Sequence, residues 1–317
     1  MEPIGGYFEL ELSKREHYHK DAIRLNSAKN CFEYILLARK YKKVYIPYYT
    51  CSVILRPLKK LGVEFEFYHI NKLLEPIALP KLEKDEAFLY TNYFGLKQDY
   101  AKRLAVVLGN QLIVDNAQAF YAEPLEGIDT FYSPRKFFGV PDGAYLYIEK
   151  RLDQDCEQDV SFDRMSHLLK RIDLSAELGY HDFRKNDDSL GNQEIKWMSK
   201  LTESLLSGID YEEAKQRRRE NYALLDYALK DSNLIHFELN DETVPMVYPY
   251  LTNEPSLRKT LIGNRVFVAT YWPNVVDWTI SGMLEYELAK KLIPLPIDQR
   301  YGKDKMVYVL EIVKRLI

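Results

Sequence analysis

Between residues 44 and 115, short apolar runs of strand type alternate with helix-type segments, and this alternation constrains the fold more than any other feature of the chain. Residues 44–47 read as a strand, 53–61 as a helix, 64–68 and 87–91 as strands, 99–108 as a helix, and Leu112, Ile113 and Val114 as the next strand. A repeat of this kind makes a mostly parallel sheet with helices on its faces. Right-handed crossovers then gather the turns that follow the strands along one edge, where open α/β sheets bind their ligands.

The residues on those turns are chemically distinctive. The strand at 112–114 delivers Asp115, with Gln118 three residues on, and a second short strand at 129–132 delivers Ser133, Pro134, Arg135 and Lys136. An acid and a lysine at the ends of successive strands meet in one crevice. Such a pair suits pyridoxal phosphate (PLP), which needs a lysine to hold its aldehyde and an acid to keep its ring nitrogen protonated, so that the ring acts as an electron sink. For Asp115 or Lys136 taken singly, a strand-end turn residue and a solvated lysine are the plainer readings.

The ordered set Asp115-Asn116-Ala117-Gln118, Ser133-x-x-Lys136 and Pro141-Asp142-Gly143-Ala144 resembles the active-site half of the fold-type I PLP aminotransferases. Within these it is most similar to the sugar aminotransferases of the DegT/DnrJ/EryC1/StrS family. The resemblance implies a PLP-transferase-like α/β fold: a large domain with a mostly parallel, doubly wound sheet over residues 1–199, and a smaller α+β C-terminal domain over 200–317. It also implies that Lys136 binds the cofactor and acts as general base and acid. Asp115 would pair with the ring nitrogen, Gln118 would sit beside the phenolic oxygen, and Ser133 would hold the phosphate. The family's Ser-Gly-Thr turn is matched by Asn26-Ser27-Ala28 at a helix start, so Ser27 and Ala28 are phosphate candidates; an ordinary cap is the alternative.

Further candidates follow from the same resemblance. The aromatic that stacks on the ring is assigned to Tyr49, although a gapless match puts Cys51 there, and the alternative is that Tyr48 and Tyr49 are core or interface tyrosines. Asn92 or Tyr93 would face the ligand. Gly179-Tyr180-His181-Asp182-Phe183-Arg184 is similar to the family's Gly-Tyr-Asn-x-Arg segment, with His181 where the asparagine is expected, so Arg184 is either a contact to a partner's phosphate or a surface arginine. Tyr271-Trp272-Pro273 echoes a turn near the family's substrate entrance. The implied reaction passes an amino group from glutamate to a nucleotide-linked keto-sugar for surface polysaccharide, in a homodimer. PLP-dependent elimination is an alternative, but the family's dehydrating members carry histidine where this chain has Lys136. A PLP-fold binding or regulatory protein without turnover is another.

Bulk properties narrow the partners. With 46% apolar and 29% charged residues and a net charge of −3, the chain suits a globular protein with small-molecule substrates and no nucleic-acid partner. Cys31, Cys51 and Cys156 are odd in number and lack CxxC spacing, which argues against a disulfide framework or a zinc site and for reduced thiols in the cytoplasm. The opening residues do not read as a signal peptide, and no apolar run approaches a membrane span. Toward the C-terminus, helices are expected at 165–172, 195–206, 211–229, 285–292 and 308–316, with strands around Glu238 and at 244–250 and 265–269. Arg217, Arg218 and Arg219 would point in three directions about 100° apart, mostly into solvent.

Overall fold

The computed structural model describes residues 4–153 and 155–317. The first half runs β1 (Ile23–Leu25), α1 (Ala28–Arg39), β2 (Lys43–Pro47), α2 (Leu55–Leu61), β3 (Glu64–Tyr68), β4 (Glu86–Thr91), α3 (Gln98–Leu108), β5 (Leu112–Asn116), β6 (Asp129–Tyr132) and β7 (Ala144–Tyr147). Among the described residues these strands form one seven-stranded sheet in the order β1-β7-β6-β5-β4-β2-β3. Strands β2 to β6 are parallel, while β7 is antiparallel to β6 and β1 to β7. The mixed, mostly parallel sheet is thus the one expected from the alternation of elements.

Sheet position explains the strand sequences. Central β4 and β5 are covered on both faces and read as near-continuous apolar runs, whereas edge strand β3 alternates between exposed and half-buried residues. Successive side chains sort to opposite faces. Val44, Ile46, Leu89, Ile113 and Phe131 join Phe32 and Ile35 of α1 in one core, while Tyr45, Phe88, Tyr90, Val114 and Tyr132 join Leu104 of α3 in the other. The second face is built largely from tyrosines.

The order reverses about β2: the chain goes outward to β3, then returns to lay β4 on the other side of β2. Such a switch point is where open α/β sheets usually bind ligands; here it lies between the loops after Pro47 and Thr91.

The remaining elements are α4 (Ser166–Asp173), α5 (Ala176–Gly191), α6 (Lys200–Ser207), α7 (Tyr211–Leu229), β8 (Val247–Leu251), α8 (Leu257–Gly263), α9 (Asn274–Trp278), α10 (Leu284–Lys291), β9 (Leu292–Pro296) and α11 (Lys303–Lys314). A third core unites Tyr222 and Leu225 of α7, Tyr248 and Tyr250 of β8, Leu295 of β9 and Val309 of α11. Strands β8 and β9 form a separate antiparallel pair in which Pro249 faces Pro294. Two prolines are tolerated because each strand of a two-stranded sheet keeps a free edge that needs no donor.

Several expected elements differ. Residues 265–269 and Glu238 lie outside any strand, and the partner of β8 is β9, directly after α10. The helix expected at 195–206 begins only at Lys200, because Lys196 and Trp197 are held in extended bridges: the Lys196 carbonyl accepts from Asn26 N, and Trp197 pairs with Leu25. The final helix starts at Lys303, five residues before the expected position, and residues 179–184 lie within α5. Of the three adjacent arginines, Arg218 is fully buried.

Candidate active site

Strand β5 carries Asp115 to its C-terminal end, where the carboxylate Oδ1 accepts from the Ala117 amide at 2.8 Å. Strand β6 ends beside it and runs through Ser133 into a tight turn, Pro134–Lys136. Proline at the first position supplies a pre-set φ, and the Phe137 and Phe138 amides both donate to the Pro134 carbonyl, at 2.9 and 2.8 Å. Lys136 leaves this turn exposed and, among the described residues, enters no ion pair.

Its ammonium lies near enough to act on both Asp115 and Cys51. Burial pushes the Asp115 carboxyl up, against the opposing pull of Lys136 and of the Ala117 amide. Burial likewise pushes the Cys51 thiol up, while the Val53 amide and Lys136 pull it down and Asp115 and Asp187 add to the rise. Lysine, acid and thiol therefore lie within electrostatic reach of one another near the ends of β5 and β6.

The other expected residues fall into two groups. Gln118 is buried beside the site: its Oε1 accepts from the Phe94 amide at 3.1 Å, and its Nε2 has no partner. Thr91, opposite Asp115 in the β4–β5 register, also has a buried, unpartnered hydroxyl. Buried polar groups are normally satisfied, so two orphaned groups flanking Asp115 suit a polar ligand. Ser133 is buried and does not cap the turn it precedes. These positions, with Lys136 and Asp115, fit the ring and phosphate of PLP.

At the start of α1, the Ser27 hydroxyl is engaged by the Asn30 amide at 3.2 Å, and Ala28 is half-buried. The chain's own segment 193–196 passes over this end, with the Asn26 side chain donating to the Glu194 carbonyl at 3.0 Å and Lys29 Nζ to the Gln193 carbonyl at 2.8 Å.

Tyr49 is wholly buried, stacked on Tyr93 with ring centroids 5.7 Å apart and edge-on to Trp272 at 5.0 Å. Cys51, two residues on, is the loop side chain that feels Lys136. Asn92 is also wholly buried and spends its amide inside its own loop, donating to Asn116 and Gln98 at 3.0 Å each and accepting from the Lys97 amide at 2.9 Å. His181 and Arg184 are exposed on α5. Pro273 leads into Asn274, which bonds the Thr50 carbonyl at 2.9 Å and the Ser52 amide at 3.3 Å and so fixes the loop that bears Cys51.

Other groups also shape the site, in ways that the sequence motifs did not specify. Asp142 is fully buried and accepts from Ser199 N and Oγ, at 2.9 and 2.7 Å, and from the Thr202 hydroxyl, which ties the turn after Lys136 to the start of α6. Gly143 follows at φ +108°, where an added Cβ would lie 3.0 Å from Thr202 Cγ2, so the turn requires glycine. Arg135 pairs with Asp187 of α5 at 3.2 Å. Arg218 reaches the lysine turn from α7. A sequence signal for it existed: Ala214, Arg218, Asn221, Tyr222, Leu225 and Leu229 form one helical face, and all are buried.

No family model matches the chain, and no curated protein matches it in sequence. Solved structures do match in shape. The sugar aminotransferase CalS13 from Micromonospora echinospora superposes with a TM-score of 0.63 at 14% identity, over 93% of this chain and 87% of that one. A DegT DnrJ EryC1 StrS aminotransferase from Brucella abortus gives 0.61 at 13% identity over 93% and 85%. NtdA from Bacillus subtilis, solved with bound cofactor PMP, gives 0.63 at 12% identity over 93% and 73%. By its sheet order and these likenesses, the chain has the PLP-transferase fold of the DegT/DnrJ/EryC1/StrS-type sugar aminotransferases.

Proposed function

We propose that this protein is a PLP-dependent aminotransferase acting on a sugar. The observation that carries this reading is the free Lys136 side chain beside the half-buried Asp115 carboxyl at the ends of β5 and β6, on a scaffold shared with sugar aminotransferases. When bound, the cofactor supplies an electron sink for the charge left when a proton leaves the amino-bearing carbon. Lys136 Nζ would hold the cofactor at rest, and once displaced would remove that proton and return it on the neighbouring carbon. Asp115 would keep the ring nitrogen protonated through a charge-assisted hydrogen bond, worth about 1.5–3 kcal/mol.

Gln118 Nε2 would donate to the phenolic oxygen. Ser133 would take the phosphate, whereas at Ser27 and Ala28 the Ser27 hydroxyl caps α1 and the chain's own segment 193–196 covers the helix start. Cys51 would cover one ring face, while Tyr49 and Asn92 hold the loops on either side. Glutamate as donor and a nucleotide-linked keto-sugar as acceptor, with a polysaccharide product and a cytoplasmic location, follow by analogy of fold. We take residues 1–199 and 200–317 as the two domains. A homodimer is supported by the exposed apolar residues Leu169, Ile172, Leu174, Leu178 and Tyr180 on and between α4 and α5, close in sequence to the exposed Arg184.

The roofed α1 start favours a second reading, a PLP-fold binding protein without turnover, because the segment at 193–196 occupies the approach that a phosphate would use. The visible spectrum separates the two. Protein incubated with PLP should turn yellow, glutamate should bleach it, and a nucleotide-linked keto-sugar should restore it; Lys136→Ala should stay colourless. A wild type that remains colourless in excess PLP overturns the reading. A yellow protein unmoved by glutamate, glutamine and alanine leaves the binding-protein reading in its place.

A further inference from the structure

Arg218 is the largest fully buried side chain among the described residues, and no carboxylate lies within hydrogen-bond distance of it. Burying a cation without a paired anion is strongly unfavourable unless its donors are well placed. Burial brings the Arg218 guanidinium down to about 10, against the opposing pull of the Asp298 carboxylate, so it is still protonated at neutral pH. Its donors go to three neutral oxygens. Nε meets Gln299 Oε1 at 3.0 Å, Nη1 the Met246 carbonyl at 2.9 Å, and Nη2 the Phe137 carbonyl at 3.3 Å, while the guanidinium lies 4.6 Å from the Phe137 ring centre.

Phe137 directly follows Lys136, and its carbonyl takes a second donor, Gln299 Nε2, at 2.8 Å. The Met246 contact leads to the other side of the site. Met246 N donates to the Phe94 carbonyl at 2.8 Å, and Phe94 N donates to Gln118 Oε1 at 3.1 Å. One buried cation on α7 thus anchors the backbone after the lysine and, through the backbones of two residues, Met246 and Phe94, the amide of Gln118.

We infer that Arg218, with Gln299, is a positioning residue that sets the Lys136 turn and the Gln118 amide in one register, tying the site to α7 and to the loop after β9. The geometric part stands on the apoprotein; its consequence for catalysis rests on the aminotransferase reading. Gln299→Glu tests it without emptying the core: the new carboxylate still accepts from Arg218, but the second donor to the Phe137 carbonyl is lost. Arg218→Met removes charge and donors while keeping much of the volume.

Hydrogen exchange of the apoprotein is the first readout. Peptides spanning residues 134–140 should exchange about tenfold faster in Gln299→Glu, and both these and peptides spanning 92–96 should do so in Arg218→Met, with β4, β5 and α11 unchanged. Exchange at 134–140 equal to wild type in Gln299→Glu overturns the inference, whatever Arg218→Met does to folding. The second readout is the split of kinetic constants. Gln299→Glu should lower kcat about tenfold with the KM for glutamate within twofold, and Gln299→His, which keeps a donor, should recover part of the loss. A wild type that never takes up PLP sinks the aminotransferase reading but leaves the exchange result to decide the anchoring.

Discussion

The Tyr93 hydroxyl donates to the Tyr49 carbonyl at 2.9 Å, joining the loops that follow β4 and β2 across the sheet's switch point. With Trp272 against Tyr49, aromatic packing fills the switch point, and Asp115 and Lys136 stand farther along the sheet, near the ends of β5 and β6. The bond is therefore structural. Tyr93→Phe leaves a buried carbonyl without its donor and should destabilise the protein by about 1–3 kcal/mol in urea unfolding. PLP affinity should stay within twofold of wild type; a tenfold loss of affinity at unchanged stability would place Tyr93 at the ligand.

The split between what was legible and what was not follows the range of the forces. Strands β4 and β5 announce themselves because burial on both faces demands apolar runs, and Asp115 and Lys136 could be placed because strand ends are local features. Strand β1 is three residues long and exists only through its pairing with β7, too short for any periodicity to show. The choice between Tyr49 and Cys51 depends on the loop's path, which Asn274 fixes from more than 200 positions away. Residues 265–269 have strand-type composition but pair with no strand, and Arg265 adopts φ +61°. Arg218 is hidden in sequence between two half-buried arginines, although the helical period places it on the buried face.

Cys51 offers a direct test of where the ligand sits. It is half-buried near Lys136, Cys31 is fully buried, and Cys156 is half-buried elsewhere on the chain. Alkylation by iodoacetamide, followed by mass spectrometry, should label Cys51 more slowly when PLP is present, by about tenfold at saturation. Labelling of Cys156 should not change. Equal protection of both, or of neither, would move the cofactor away from the loop after β2.

Acid should weaken the fold through His19. The ring is buried, with Nε2 against the Phe120 carbonyl at 2.7 Å and Nδ1 near the Tyr147 hydroxyl at 3.3 Å, an arrangement that uses the neutral ring as one donor and one acceptor. Burial lowers its pKa to about 4, from 6.5 in the unfolded chain. A depressed base contributes stability that is present above the unfolded value and is lost as pH falls through the folded one, because the unfolded chain binds the proton first. Between pH 6.5 and 4 this amounts to about 3 kcal/mol. His17, lowered to about 4 as well, steepens the same slope. His19→Gln should flatten the dependence of unfolding free energy on pH in this window, and an unchanged slope would mean that the ring is charged in the folded protein.

Asp115 should stabilise nothing in the free protein and matter only for what it binds. Burial raises its pKa more than Lys136 and the Ala117 amide lower it, so its folded value lies above the unfolded one. A raised acid adds stability only below its unfolded pKa, near 3.9, and loses that contribution as pH rises through the folded value. Above its folded value the ionised carboxylate is therefore held at a cost to the apoprotein. Asp115→Asn keeps the acceptor for the Ala117 amide and removes the charge. The variant should melt higher than wild type at pH 7 without cofactor, and the difference should vanish near pH 3.5. The same variant should still take up PLP on Lys136 while turnover falls by about 10²–10⁴-fold, as expected when a proton-holding group is removed. Lower stability at pH 7 would mean that Asp115 is an ordinary structural acid, and turnover within threefold of wild type would mean that another group keeps the ring nitrogen protonated.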